Sequence, residues 1–237
     1  GIIAVDPTSP FTGGALLGDR VRMTDVELDQ GVFIRSMASR GSLGGLSRKT
    51  REAADILDAA GTDYILIESV GVGQSELDIV RAADTTVVVL VPESGDSIQA
   101  MKAGLMEIAD FFVVNKSDRA GADQVVMSIR TVLGFKPQTD GWRPEVLQTV
   151  ASEGKGIDTV ADLVARHRQY QDGADLLKIK RMDRIGERIR ELVGERLRVR
   201  FWNAEREGYL GKNIEPVYLK QSTPYAVAEE LVKTFPG

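Results

Sequence analysis

Apolar runs of strand length alternate with segments of helical spacing from residue 2 to residue 170. The continuous, largely β-branched runs that predict strands are 2–5, 32–35, 64–68, 86–91, 111–115 and 146–150. The segments that predict helices are 46–60, 75–83, 97–109, 122–133 and 157–170. Continuous apolar strands are typical of parallel sheets that are covered on both faces. The alternation therefore predicts an α/β fold with a doubly wound, mostly parallel sheet, in which ligands bind beyond the carboxyl ends of the strands.

The character of the chain changes after Asp172 and Gly173. Residues 178–200 contain nine Lys or Arg and four Asp or Glu, and six apolar residues recur at helical spacing: Met182, Ile185, Ile189, Leu192, Val193 and Leu197. This pattern predicts a long amphipathic helix with a basic outer face. Its apolar stripe either packs on its own domain or forms a dimer or partner surface. Residues 223–233 predict a short capped helix.

Composition narrows the classes of function. The chain has 237 residues, a net charge of −5, no Cys and one His. The negative charge argues against nucleic acid as the main partner, and the lack of Cys excludes disulfides and thiolate metal sites. We find no apolar run long enough to cross a membrane and no signal peptide, so the expectation is a cytoplasmic protein with no membrane partner.

The stretch ILIESVGVGQSE, residues 65–76, places an acid at the tip of a predicted strand and two glycines directly after it. Glu68 is a candidate ligand of Mg²⁺, which prefers oxygen ligands. Gly71 lets a backbone N–H approach a phosphate because no side chain blocks it. Gln74 is a candidate for positioning the attacking water in nucleotide hydrolysis. The alternative is a tight strand-to-helix turn with no catalytic role.

The stretch Asn115-Lys116-Ser117-Asp118 follows another predicted strand and fits the N-K-x-D pattern that reads guanine. The Asp118 carboxylate can accept hydrogen bonds from the N1–H and the exocyclic amine of guanine, an arrangement that adenine does not offer. Asn115 would tie neighbouring loops together, and the stem of Lys116 would cover the base. Ala151-Ser152, after the next strand, is a candidate for backing the base through backbone N–H groups. The alternative is a polar turn that caps a helix.

Two further acids stand in positions from which a carboxylate could reach a metal ion. Asp6 ends the first predicted strand, and Asp19 follows a glycine-bounded loop. An isolated Asp in a loop is more often a turn former, so composition alone gives both residues little weight.

Five strings carry a family resemblance, in order from residue 4 to residue 118: AVDPTSPFTGGALLGDRVRM, FIRSMASRGSLGGLSRKTRE, ILIESVGVGQSE, PESGDSIQAMKAG and VVNKSD. On these strings the sequence closely resembles the MeaB/ArgK-type GTPases, which are metallochaperones of adenosylcobalamin-dependent methylmalonyl-CoA mutase. The resemblance continues more loosely to about residue 200, and the tail at 223–231 also fits.

The resemblance implies a P-loop NTPase-like GTPase domain over residues 1–172 and a C-terminal helical extension over 173–237 that forms a homodimer. It implies that GTP or GDP binds with Mg²⁺, and it matches Asp6, Asp19 and Glu68 to the acids around the metal. It also implies a third switch loop at 92–104, with Asp96, Gln99 and Lys102 as its polar members. The implied function is slow GTP hydrolysis that gates cofactor loading into the mutase and supports its reactivation.

One departure from the family concerns the phosphate-binding loop. The pattern G-x-x-x-x-G-K-[ST] does not occur in the 237 residues, although this loop supplies the backbone cradle and the Lys for the phosphates. We therefore expect the chain by itself to bind GTP poorly. It is either a fragment of a longer protein or a degenerate relative, and the start within a strand, without Met, favours a fragment.

Two other hypotheses about the function stay open. The first is a related nickel-inserting GTPase, although such proteins usually carry Cys and His metal sites. The second is a non-catalytic module that docks on the mutase through the third switch loop and the C-terminal helix.

Overall fold

The computed structural model describes residues 1–6, 23–38, 48–69, 81–92, 105–135 and 141–235. Within these ranges six strands occur: β1 (Ile2–Asp6), β2 (Ile34–Ala38), β3 (Leu66–Glu68), β4 (Val87–Leu90), β5 (Phe111–Val114) and β6 (Val146–Gln148). All six predicted strands are present, and the second lies later in the chain than the predicted 32–35.

The helices of the described residues are α1 (Thr24–Glu27), α2 (Arg48–Ala59), α3 (Leu105–Ile108), α4 (Ala122–Gly134), α5 (Ile157–Gly173), α6 (Leu176–Phe201), α7 (Ala204–Tyr218) and α8 (Pro224–Lys233). Of the helix predicted at 75–83, only residues 81–83 are described, and 81 and 82 of them are helical. Within the described ranges, no helix combines the length and apolar content needed to cross a membrane.

The strands form two parallel three-stranded sheets, in the orders β2-β1-β3 and β4-β5-β6. Every strand pair within them is parallel, so the carboxyl ends of neighbouring strands meet at one edge of each sheet. The predicted parallel α/β class is thus confirmed, with the hydrogen bonding of the described residues divided between two sheets.

The β4-β5-β6 sheet is covered on both faces. Phe112 and Val114 of β5 pack with apolar residues of α3 and α4 on one side. Phe111 and Val113 pack with Leu163 of α5 on the other side. Because consecutive side chains of a strand point to opposite faces, a strand that is buried on both sides must be apolar throughout. This requirement explains the unbroken run of β5, in which all four residues are buried.

The β2-β1-β3 sheet has a smaller core. Ile3 and Val5 of β1 pack with Leu57 of α2, and partly buried apolar residues surround this cluster. The central strand β1 pairs with β2 on one side and with β3 on the other. Asp6 and Glu68 consequently end adjacent strands at the same edge.

A polar cluster holds the amino ends of β4 and β5. The Asp110 carboxylate accepts a hydrogen bond from the backbone N–H of Thr86 at 2.7 Å and lies 3.4 Å from Nε2 of His167. Nδ1 of His167 lies 2.9 Å from the hydroxyl of Thr85. The imidazole is 2% exposed, and its ring centroid is 4.6 Å from that of Trp142. The only histidine of the chain is therefore a buried structural group that joins α5 to the sheet.

Contacts divide the chain into two compact units, Gly1–Arg181 and Met182–Gly237. The division into a domain at 1–172 and an extension at 173–237 stays a prediction.

In the second unit, Arg206 joins the ends of three helices. Its guanidinium donates to the carbonyl of Phe201 at 2.7 Å and to the carbonyl and hydroxyl of Thr234 at 2.6 and 2.9 Å. It also lies over the rings of Phe201 and Phe235.

His167 makes the stability of the first unit depend on pH. Burial lowers the pKa of His167, Asp110 opposes this effect, and the positive charge of Lys180 adds to it. The unfolded chain therefore binds this proton more readily than the folded chain does. The stability that comes from neutral His167 is complete above about pH 6.5, the ordinary pKa of histidine. It is lost as the pH falls from there through the lowered pKa of the folded state.

We expect the free energy of unfolding to fall between pH 7.5 and pH 5.5 and to fall less in His167→Gln. Urea denaturation followed by Trp142 fluorescence, in a Trp202→Phe background, measures both values, because Trp142 contacts His167 and the two Trp residues lie in different units. Equal pH slopes for the two proteins would contradict this account.

The hydrogen bonds of Arg206 predict a second effect on stability. In Arg206→Met the carbonyls of Phe201 and Thr234 lose a charged donor, so we expect the second unit to lose about 2–3 kcal/mol of stability. Trp202 fluorescence during denaturation, in a Trp142→Phe background, reports this unit. Arg198→Met is the matched control, because Arg198 is exposed and makes no side-chain hydrogen bond within the described residues. A loss of equal size in the control would show that charge or helix propensity, rather than these bonds, is responsible.

Candidate functional site

The predicted guanine-reading residues lie at the carboxyl end of β5. The backbone N–H of Asn115 donates to the carbonyl of Leu90 at 2.8 Å, and that of Ser117 donates to the carbonyl of Thr149 at 3.0 Å. Between them, Lys116 adopts φ 55°, in the left-handed region that non-glycine residues rarely occupy. Such a conformation persists where the surrounding structure enforces it, and it is common at functional sites. Here the neighbouring strands on both sides of β5 enforce it.

The side-chain oxygen of Asn115 joins this loop to the loop after β6. It accepts a hydrogen bond from the hydroxyl of Thr149 and another from the backbone N–H of Ala151, both at 3.0 Å. Both donors point at one oxygen, so the orientation of the amide is fixed, with the NH₂ group on the side away from them. Within the described residues that NH₂ group has no hydrogen-bond partner, and it remains available as a donor.

Thr149 is a residue of this site that the sequence alone did not suggest. It is 2% exposed, its backbone N–H donates to the carbonyl of Val114 at 2.9 Å, and its carbonyl accepts from Ser117. All three of its polar groups therefore hold the loops after β5 and β6 together. The sequence signal for this role was a hydroxyl residue within the predicted strand 146–150, whose other buried residues are apolar.

The loop after β6 has a compact shape that glycines make possible. Val150 and Lys155 exchange two backbone hydrogen bonds, of 3.0 and 3.2 Å, and thereby close the loop. Gly154 and Gly156 both have positive φ. A Cβ atom at Gly156 would lie 2.5 Å from the carbonyl oxygen of Gln148, so only glycine fits there. This turn leads directly into α5.

The charges around the site lie at its surface. Asp118 is exposed, and within the described residues its carboxylate makes no hydrogen bond. Lys155 pairs with Glu153 at 2.6 Å. The hydrogen bond to Glu153 raises the pKa of Lys155, the charge of Glu153 adds to this, and Asp118 contributes as well. Within the part of the chain that the structure describes, the carboxylate of Asp118 thus remains free to accept hydrogen bonds from a ligand.

Glu68 and Asp6 lie at the carboxyl edge of the other sheet. Glu68 pairs with Ala4 of β1, and Asp6 follows two residues further along β1. The structure therefore brings the backbones of these two predicted metal ligands to neighbouring positions. Within the described part of the chain no group of three His, Asp or Glu side chains is arranged to hold a metal. Asp19, Gly71, Gln74 and the predicted third switch residues Asp96, Gln99 and Lys102 lie outside the described residues.

Comparison with known proteins gives a consistent result. The model of the family described as methylmalonyl Co-A mutase-associated GTPase MeaB matches residues 1–206. A protein of Pyrococcus abyssi that is named as a GTPase is 48% identical over 240 residues, which cover the whole of this chain and 74% of that protein. The GTPase ArgK of Escherichia coli is 40% identical over 163 residues, or 67% of this chain and 49% of its own length.

Two further comparisons extend this result. The mouse methylmalonic aciduria type A homolog, a mitochondrial protein, is 38% identical over 177 residues, which cover 72% of this chain and 42% of that protein. A crystal structure described as an LAO/AO transport system kinase superposes with a TM-score of 0.67 and 25% identity, over 98% of this chain and 70% of that one. The chain thus spans only part of each of these relatives.

The names of these relatives confirm the prediction of a GTP-hydrolysing enzyme, and the matched range includes both of the loops described above. The chain belongs to the MeaB family of GTPases.

Proposed function

We propose that this protein binds guanine nucleotides at the carboxyl ends of β5 and β6. In this proposal Asp118 accepts hydrogen bonds from the base, Asn115 holds the two loops in place, and Lys116 covers the base. The observation that carries the proposal is the double hydrogen bond on the Asn115 side-chain oxygen, which organises the pocket before any ligand arrives. Preorganisation of this kind lowers the entropic cost of binding.

The predicted backbone donors of the second loop differ in availability. The N–H of Ala151 already donates to Asn115. Of the pair predicted to back the base, Ser152 is therefore the residue whose N–H we assign to the ligand. Ala151 acts on the ligand indirectly, since it fixes the amide of Asn115.

For hydrolysis we propose that Asp6, Asp19 and Glu68 hold Mg²⁺, that Gly71 approaches the terminal phosphate and that Gln74 positions water. The support is the resemblance to the family, the oxygen chemistry that Mg²⁺ prefers, and the placement of Asp6 and Glu68 on adjacent strands. When bound, the metal supplies charge stabilisation to the phosphates.

We further propose that the whole protein is a chaperone of an adenosylcobalamin-dependent acyl-CoA mutase, with methylmalonyl-CoA mutase as the expected partner. In this role GTP hydrolysis gates cofactor loading and protects or reactivates the mutase. Membership in a family of methylmalonyl Co-A mutase-associated GTPases supports this partner. The third switch loop at 92–104 is the proposed contact with the mutase, and a cytoplasmic location remains a prediction.

We also propose that the protein is a homodimer through α6. Five residues of the predicted apolar stripe lie on this helix with 46–61% of their surface exposed: Met182, Ile185, Ile189, Val193 and Leu197. A contiguous apolar stripe of this kind is typical of a helix that a partner covers. The non-catalytic docking module remains the alternative for the 237 residues by themselves.

Calorimetry with GDP, GTP and Mg²⁺ tests nucleotide binding, on the 237-residue chain and on the whole gene product. We expect binding by the whole gene product, and weak binding by any form without a phosphate-binding loop. Absence of binding by the whole gene product would refute the proposal. Tight binding by the 237 residues alone would show that one of their own loops holds the phosphates.

Asp118→Asn tests the reading of the base. An amide in place of the carboxylate presents a donor to the N1–H of guanine, and an unpaired buried polar group costs about 1–3 kcal/mol. We expect affinity for GDP to fall by roughly 5- to 150-fold and affinity for XDP to rise, both measured by calorimetry on the whole gene product. Asp158→Asn, an exposed change in the first turn of α5, is the matched control. An unchanged preference for GDP in Asp118→Asn would sink the assignment.

Size-exclusion chromatography with an adenosylcobalamin-dependent methylmalonyl-CoA mutase tests the proposed partner. We expect a complex whose amount differs between GDP and a non-hydrolysable GTP analogue, and a weaker response in Asp96→Ala of the third switch loop. Asp29→Ala, on an exposed turn after α1, is the control. A failure to form any complex, by a protein that still binds GDP, would refute the partner and leave the GTPase assignment intact.

A further inference from the structure

Asp84, at the amino end of β4, holds α5 and the first turns of α6, which both belong to the first unit. Its carbonyl oxygen accepts a hydrogen bond from Nε2 of Gln171 on α5 and another from Nζ of Lys180 on α6, both at 2.9 Å. Its carboxylate pairs with the guanidinium of Arg181, whose Nε lies 3.3 Å from Oδ1. We call these four residues the Asp84 anchor. They hold the first turns of α6 and the last turns of α5 on the same residue.

Helix α5 connects this anchor to the proposed guanine pocket. It begins at Ile157, directly after the loop that Asn115 holds, and it runs for 17 residues, or about 25 Å, to Gly173. Leu163 in its middle is 1% exposed and packs with Phe111 and Val113 of β5. One packed helix therefore has the pocket loop at its amino end and the anchor at its carboxyl end.

Each end of α5 is held by specific contacts. At the amino end, the close approach of Gly156 to the Gln148 carbonyl sets where the helix starts. Near the carboxyl end, His167 lies between Thr85 and Asp110, and Gln171 is 5% exposed. An opening of α5 away from the sheet would break the contacts at both ends. Segments that are tied together in this way tend to open as one cooperative unit.

We infer that α5 couples occupancy of the guanine pocket to the anchorage of the first turns of α6 on Asp84. This inference rests on the proposed binding of guanine nucleotides. A nucleotide that binds the closed pocket, and does not bind the opened one, stabilises the closed form by mass action. Because the anchor shares α5 with the pocket, the same nucleotide then suppresses release of α6 from Asp84.

A substitution at Gln171 can remove the hydrogen bond between α5 and Asp84. Within the described residues, the amide of Gln171 makes one hydrogen bond, from Nε2 to the carbonyl oxygen of Asp84. Its Oε1 is buried without a hydrogen-bond partner. Replacement by Met removes the bond to Asp84, keeps a side chain of similar length, and also removes the unsatisfied oxygen. The pair between Asp84 and Arg181 is left in place.

Hydrogen exchange on the whole gene product, with and without GDP, tests the inference. With GDP at about 100 times its Kd, amides that exchange through an opening shared with the pocket slow by up to about 100-fold. We expect this slowing in peptides that cover 164–171 on α5 and 179–181 on α6. Peptides from α8, in the second unit, serve as an internal reference and should not change.

Three variants separate the coupling from general stabilisation. In Gln171→Met, slowing by GDP should persist at 164–171 and become smaller at 179–181, where the contact of His167 with Thr85 still ties α5 to this strand end. In Arg181→Gln, peptides that cover 179–181 should exchange faster without nucleotide. Arg198→Gln changes the same type of residue on the same helix, at an exposed position outside the anchor, and should behave as the unchanged protein.

Failure of the proposed function and failure of the coupling give different results. If calorimetry shows no binding of GDP, the proposed function fails. If GDP binds and slows exchange around residues 113–118 and 149–151 but leaves 179–181 unchanged, the pocket stands and the coupling is overturned. Undiminished slowing at 179–181 in Gln171→Met would likewise overturn the assigned role of Gln171 in the coupling.

Discussion

The burial of β5 on both faces is the constraint on which the rest of this structure depends. Its four residues are all buried, and they pair in register with β4 on one side and β6 on the other. Parallel pairing then fixes where the chain leaves the strand. Asn115 emerges between Leu90 and Thr149, and the hydrogen bonds that bend Lys116 into a left-handed conformation are made to those neighbours. The geometry of the proposed guanine site is thus a consequence of the apolar core beneath it.

Apolar periodicity was sufficient to predict most of this core. The runs that became β4, β5 and β6 are continuous because both of their faces are covered, and such runs are strong signals. Strand β2 shows the limit. The run at 32–35 is the more apolar, yet the strand is Ile34–Ala38, because pairing in register with β1 places Arg35 and Ser36 in the sheet. Local preference cannot supply a register that is set by a distant strand.

Helix α7 was not predicted from the sequence, for an identifiable reason. It contains Gly208, Gly211 and Pro216, which all disfavour a helix interior. Its start is fixed by the side chain of Asn203, which accepts from the N–H of Arg206, and by the bonds of Arg206 to the end of α8. Tertiary contacts therefore override local propensity. The site shows the same contrast: the N-K-x-D pattern predicts the readers of the base, whereas the role of Thr149 depends on a contact between residues 34 positions apart.

The two edges of the β4-β5-β6 sheet differ in whether their acidic side chains pair within the protein. At the amino edge, Asp110 pairs with His167 of α5, and the Asp84 carboxylate pairs with Arg181 of α6. At the carboxyl edge, the Asp118 carboxylate and the Asn115 NH₂ group have no internal hydrogen-bond partner within the described residues. Groups of this kind contribute little to folding and gain their partners from a ligand. We therefore expect the amino edge to supply rigidity, and the carboxyl edge to gain stability only when a nucleotide completes its hydrogen bonds.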